Sequence, residues 1–185
     1  MKRKHFLQTT LAALPALFLA KAGLGAPASS ATSEPFVVRA GNSRFGEHLK
    51  YRGQHPNDVV ISRRDTADAL SVFAYTGYAK IGPSLHVHLH QDEWFYVLAG
   101  HYRFVVGDRQ EELHPGDTIF LPRTIPHSWL QLSDQGQLLY AVQPAGTLEE
   151  FFKEMDAVKA PLSAEEAQQI HRRHGMKIVG PPLTL

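Results

Sequence analysis

The 185 residues suit one domain with one hydrophobic core, and the absence of cysteine excludes disulfides, thiolate ligands, a cysteine nucleophile and a lipid-anchored cysteine. The formal charge is +1, but four of the 19 basic residues (Lys2, Arg3, Lys4 and Lys21) precede Ala28 in a stretch without acids, leaving 15 against 18 acidic residues in the remainder, a net −3. A mildly acidic domain without a basic run gives no ground for nucleic acid or an anionic membrane as partner, and any metal site must be built from His, Asp and Glu.

In chain order, residues 1–28 read as a cleavable signal peptide. Lys2, Arg3 and Lys4 precede an apolar run from Leu11 to Ala20, then small residues. That run is too short to span a bilayer, which takes roughly 20 residues, so no membrane association is expected after cleavage. Arg3, Lys4, Phe6, Leu7 and Gln8 resemble a twin-arginine export signal with lysine in place of the second arginine. The expected location is periplasmic or secreted, by that route or by general secretion, with cleavage after Ala22 or Ala28.

Residues 29–58 read as a linker and N-terminal arm. Ala26 to Pro35 is rich in Ala, Ser, Thr and Pro, and Gly41 to Asn57 carries turn residues expected to form an irregular segment. Residues 59–145 read as a barrel of short strands: Val59 to Ser62, Ala69 to Tyr78, Glu93 to Leu98, Tyr102 to Val106, Thr118 to Leu121, His127 to Leu132 and Gln137 to Gln143. Turn signals such as Gly107-Asp108 and Asp134-Gln135-Gly136 separate them, a spacing typical of a sandwich or small barrel. Residues 146–185 read as a helical extension. Thr147 with Glu150 and Ser163 with Glu166 are capping-box signatures for two short helices, and Phe151, Phe152 and Met155 are assigned to packing on the sheet rather than to a ligand pocket.

His86 and His88 lie two apart on an extended segment, so alternation points both imidazoles to one side. Glu93, across a turn from them, can return on the neighbouring strand and face the same volume. Gly100 then permits a tight turn. Gly116 and Pro122 bracket a second strand that delivers His127 over the same mouth. Three nitrogens and one oxygen suit one divalent transition ion (Fe, Mn, Ni, Co, Cu or Zn) better than the all-oxygen preference of Ca or Mg.

These two segments, His86-x-His88 with Glu93 and Gly100, then Gly116 with Pro122 and His127, resemble the paired motifs of the cupin superfamily. Thr124 stands where that pattern usually has glycine, and Gln131 where it usually has asparagine. The resemblance implies an all-β fold, a small antiparallel jelly-roll barrel followed here by two short helices, with His86, His88, Glu93 and His127 as metal ligands. Of the other histidines, His90 is at most a spare group beside the site, His101 and His114 are structural or exposed, and His171 and His174 are expected on a surface face of the last helix.

Alternation places Phe95, Phe104, Trp129 and Gln131 as candidate pocket-lining residues, and an aromatic cavity around one ion favours a planar organic ligand. The short single barrel after an export signal is similar to single-cupin proteins grouped with quercetin 2,3-dioxygenases. That similarity implies opening of a flavonol or comparable enolisable aromatic compound with dioxygen, Glu93 serving as general base. A non-catalytic small-molecule binder and a non-oxidative isomerase or decarboxylase are the alternatives. An exposed strand edge together with the arm is compatible with a homodimer.

Overall fold

A computed structural model describes residues 34–185; the signal-peptide expectation and the start of the linker lie outside the described residues. The strands are β1 (Lys50–Tyr51), β2 (His55–Ile61), β3 (Ser71–Gly77), β4 (Ser84–His88), β5 (Asp92–Ala99), β6 (Tyr102–Val106), β7 (Arg109–Leu113), β8 (Thr118–Leu121), β9 (His127–Gln131), β10 (Gly136–Gln143) and β11 (Met176–Pro182). Two helices, α1 (Leu148–Ala157) and α2 (Ala164–Arg173), precede β11.

The strands form two antiparallel sheets, one in the order β1-β2-β3-β10-β5-β8 and the other β11-β4-β9-β6-β7. Their inner faces follow the period-two alternation of the sequence. Glu93, Phe95 and Val97 of β5 are buried while Tyr96 and Leu98 face out. Tyr102 and Phe104 of β6 point inward in the same way. Phe73, Phe95, Tyr140 and Phe104 stack at the centre, with Phe95 to Tyr140 at 4.9 Å between ring centroids and Phe73 to Tyr140 at 5.0 Å.

Three parts of the fold differ from the expectation. The arm is not wholly irregular: β1 and the start of β2 fall within it, because His55, Asn57 and Asp58 are buried and continue the six-stranded sheet. The extension after residue 145 is not only helical, since β11 pairs with β4, Met176 opposite His88 and Ile178 opposite His86. Strand β7 was also not foreseen; it is polar up to Leu113, which packs against the core, and among the described residues it pairs only with β6.

The two helices start differently. Ser163 and Glu166 form the anticipated capping box, but the Thr147 side chain caps nothing in α1. Its hydroxyl is instead 3.1 Å from His174 Nδ1, while His174 Nε2 is 2.9 Å from Glu154. What anchors α1 is Glu149, 7% exposed. Its carboxylate accepts hydrogen bonds from Ser62 Oγ (2.9 Å), the Arg63 amide (2.6 Å) and Ser71 Oγ (2.5 Å), bolting the helix to β3 and the turn after β2.

Candidate metal centre

The sheets bring together the four residues that the spacing singled out. His86 and His88 project from β4, Glu93 from β5 and His127 from β9, where His127 lies directly across from His86. One potential ligand atom from each falls within 4.8 Å of every other, and all four residues are buried. The Glu93 Oε2 atom is 3.4 Å from His127 Nε2 and 3.9 Å from His88 Nε2.

Each imidazole is held by its other nitrogen. His86 Nδ1 donates to the Ser84 carbonyl (2.8 Å), His127 Nδ1 to the Ile125 carbonyl (2.9 Å) and His88 Nδ1 to Gln91 Oε1 (3.1 Å). The orientation of the Gln91 amide is set in turn, because its nitrogen donates to the Ala145 carbonyl at 2.6 Å. Oxygen acceptors on every Nδ1 place the proton there and leave each Nε2 lone pair directed at the common centre. Gly146, with φ +54°, lets Gln91 pass so closely that a Cβ would stand 2.6 Å from the amide nitrogen.

Burial lowers the pKa of His86 well below the usual imidazole value, with the neighbouring His127 and His88 adding to the effect. Burial also lowers that of His88, against an opposing pull from Glu93. Both rings are therefore neutral at neutral pH, the form that can ligate a metal. His127 Nε2 has no hydrogen-bond partner, although the residue is only 1% exposed. A buried nitrogen left unpaired beside two other lone pairs and a carboxylate fits a cation, and the three-nitrogen, one-oxygen set fits a transition ion.

The loop that delivers His127 is fixed at its start. Arg123 grips Asp92 through its amide (2.8 Å), Nε (3.0 Å) and Nη2 (2.7 Å), and holds the Asp92 carboxyl down to about 2. The Thr124 amide donates to the His88 carbonyl at 2.8 Å. Thr124 does this with φ +68°, a left-handed conformation unfavourable for a β-branched residue. Thr124→Gly is therefore expected to stabilise the fold by about 1 kcal/mol after glycine's own entropy cost, read as a rise of about 2–4 °C in melting temperature. An unchanged or lower melting temperature would contradict this.

Residues 77–142, about a third of the chain, match the family model described as a cupin domain. This is a cupin fold. Among solved structures, an RmlC-like cupin from Shewanella frigidimarina is similar at 19% identity and a TM-score of 0.51, over 61% of this chain and 93% of that one. KdgF from Halomonas sp. is similar at 17% identity and a TM-score of 0.47, over 53% of this chain and 86% of that one. Comparison with curated proteins finds no match.

Above the four-residue cluster lies a cavity of about 650 Å³, with His86, His88 and Glu93 in its wall. Of the candidate lining residues, Phe95 and Trp129 face this cavity, whereas Phe104 and Gln131 do not. Phe104 is packed against Phe95 in the central stack. Gln131 sits at the far end of β9, where its amide bonds Tyr102, Gly77 and Ser133. Sharing a strand face with His127 was not enough, since that face runs past the cavity into solid core.

Three expectations for the helices are also corrected. Phe151, Phe152 and Met155 do pack on the core, yet they line the cavity as well, because α1 lies across the barrel mouth. His171 is not on a surface face. It forms part of the cavity wall, donating from Nδ1 to the Ala167 carbonyl at 2.7 Å, and burial lowers its pKa. His174 is held between Thr147 and Glu154. His90 is exposed, and His101 stacks on His114 at 4.4 Å. Spacing could not separate His171 from His174, because both faces of a helix over a cavity are partly covered.

Proposed function

We propose that this cupin holds one divalent transition ion on His86, His88, Glu93 and His127, and is a dioxygenase for an enolisable aromatic substrate of the flavonol kind. The observation that carries this is the placing of the four-donor cluster at the wall of an aromatic cavity large enough for a planar organic molecule. Bound there, an ion would supply Lewis-acid chemistry that acidifies a substrate hydroxyl.

The chain's own residues supply the rest. Glu93 is the only carboxylate in the cluster and faces the cavity, so it is the group able to take the hydroxyl proton as general base. Trp129, Phe95 and Tyr140 offer flat walls that orient a ring system, and α1 covers the mouth against water. Tyr140 is fully buried, its hydroxyl donating to Asn57 Oδ1 at 2.8 Å, and its pKa is pushed up by burial and by Glu93, which keeps the phenol neutral.

The test is an oxygen-electrode screen of the protein loaded in turn with Mn, Fe, Co, Ni, Cu and Zn, against flavonols and related phenols. Oxygen uptake that needs metal and is abolished by Glu93→Gln is the expected result. Flavonol binding without oxygen uptake under every metal would overturn the dioxygenase proposal in favour of a non-catalytic binder. An isomerised or decarboxylated product from a panel of oxo-acids would do so in favour of a non-oxidative enzyme.

A further inference from the structure

The helical side of the cavity presents a histidine that the four-residue cluster does not use. Helix α2 is held to β11 by Gln168, whose Oε1 accepts from the Ile178 amide at 2.9 Å and whose Nε2 donates to the Ile178 carbonyl at 3.4 Å. Strand β11 lies in turn beside β4, with Ile178 opposite His86 and Met176 opposite His88. His171, one turn after Ala167 and Gln168, is thereby carried over the strand pair that bears two of the ligands. Ala167, His171, Met176 and Ile178 all belong to the cavity wall. The His171 ring is near enough for its charge to be felt at His86, and for that of His88 to be felt at His171.

The bonding of this ring leaves one nitrogen for a ligand. Nδ1 faces the Ala167 carbonyl at 2.7 Å and must carry the proton there, so Nε2 keeps its lone pair. Among the described residues Nε2 has no hydrogen-bond partner, and unlike His127 Nε2 it is not sealed in packed core. Burial lowers the pKa of the ring against the pull of the Ala167 bond, which keeps it neutral, and Nε2 an acceptor, at neutral pH. Phe151 holds the ring in place, packed edge-on at 4.9 Å between centroids. His174, three residues on, differs: Thr147 and Glu154 occupy both of its nitrogens, as befits an imidazole with a structural task alone.

Apart from Asp156, the other side chains that α1 and α2 turn to the cavity are apolar, among them Phe151, Phe152 and Met155. An acceptor set in such a wall rewards a ligand that brings a donor and penalises one that leaves it unpaired. We infer that His171 is a specificity-determining residue of this cavity: its Nε2 accepts a hydrogen bond from a ligand hydroxyl, which selects hydroxylated aromatic compounds over their ethers. The inference rests on the cavity being the substrate site proposed above, and it adds the group that reads the ligand from the helical side.

The experiment compares 2-naphthol with 2-methoxynaphthalene, close in shape but without the donor, by titration calorimetry on the zinc-loaded full chain. Naphthol is expected to bind about fivefold more tightly, the size of one hydrogen bond to a neutral acceptor. His171→Phe keeps a ring against Phe151 and should bring the two probes within about twofold, whereas His171→Gln restores an acceptor and should regain a preference of about threefold. Zinc content should be unchanged in both variants. Equal affinities in the wild type, no binding of either probe, or a preference that survives His171→Phe would overturn the inference, the last by putting the hydroxyl on the ion, Glu93 or Asp156. A preference lost equally in both variants would overturn it too, by making the effect one of packing. The dioxygenase proposal fails separately, as an absence of oxygen uptake in a protein whose preference for naphthol still depends on His171.

Discussion

His127→Ala abolishes stoichiometric binding of a transition ion while leaving the fold intact: that is the first result expected. The ring lies directly across from His86, and its Nε2 is fully buried with no hydrogen-bond partner. Removing it leaves two imidazoles and a carboxylate, a three-donor set that holds the ion less tightly than four. Loss of even an outer hydrogen-bond partner of a ligand typically costs 10–100-fold in affinity, so loss of a ligand should cost about 100-fold or more. The wild-type protein with metal at about a hundred times its dissociation constant gains about 2.7 kcal/mol. At about 2–4 °C per kcal/mol for a chain of this size, its melting temperature should rise by roughly 5–10 °C on metal addition. The alanine variant should show no such rise, and elemental analysis should find it metal-free. Retention of the metal-induced rise would refute the assignment of His127. Gln91→Leu provides a graded comparison, since it removes only the acceptor that orients His88.

Glu149→Ala is expected to be strongly destabilising, on a par with truncating a core aliphatic residue. It removes the acceptor of three hydrogen bonds and leaves Ser62 Oγ, the Arg63 amide and Ser71 Oγ without a partner where Ser62 and Ser71 are fully buried. At about 1–3 kcal/mol for each unsatisfied group, and without full additivity, the loss should be about 3–5 kcal/mol. Melting temperature should fall on the order of 10 °C. Because α1 carries Phe151, Phe152 and Met155 over the cavity, the same change should loosen ligand binding even where the barrel survives. Chemical denaturation and ligand titration check the two effects separately. A loss below about 1 kcal/mol would show that the three donors find water instead.

The barrel and its metal cluster were legible because both obey local rules. Alternation alone sets His86 and His88 on one side of β4, and Glu93, Phe95 and Val97 on one side of β5; the structure keeps both. What stayed hidden depends on partners distant in sequence. Nothing local in Met176–Pro182 says that it will lie beside β4, and the run Arg109–Leu113, with Leu113 its one apolar residue, has no alternation to advertise a strand. The same holds for the cavity. His171 joins its wall only because a helix distant in sequence from the strands carries it there. Phe104 and Gln131 show the converse error, where correct alternation assigned the right face but not the right depth.

The segment bearing His86 and His88 is hydrogen-bonded on one flank to β9 and on the other to β11, and neither is its neighbour along the chain. Two wide loops must therefore close before these imidazoles are held in place, at an entropic cost that grows with the logarithm of loop length. Such long-range pairing belongs to the slow end of folding rates. A short peptide carrying the same two histidines would behave as an ordinary flexible chelator, and the geometry of the cluster is a property that emerges only when nearly the whole domain has condensed.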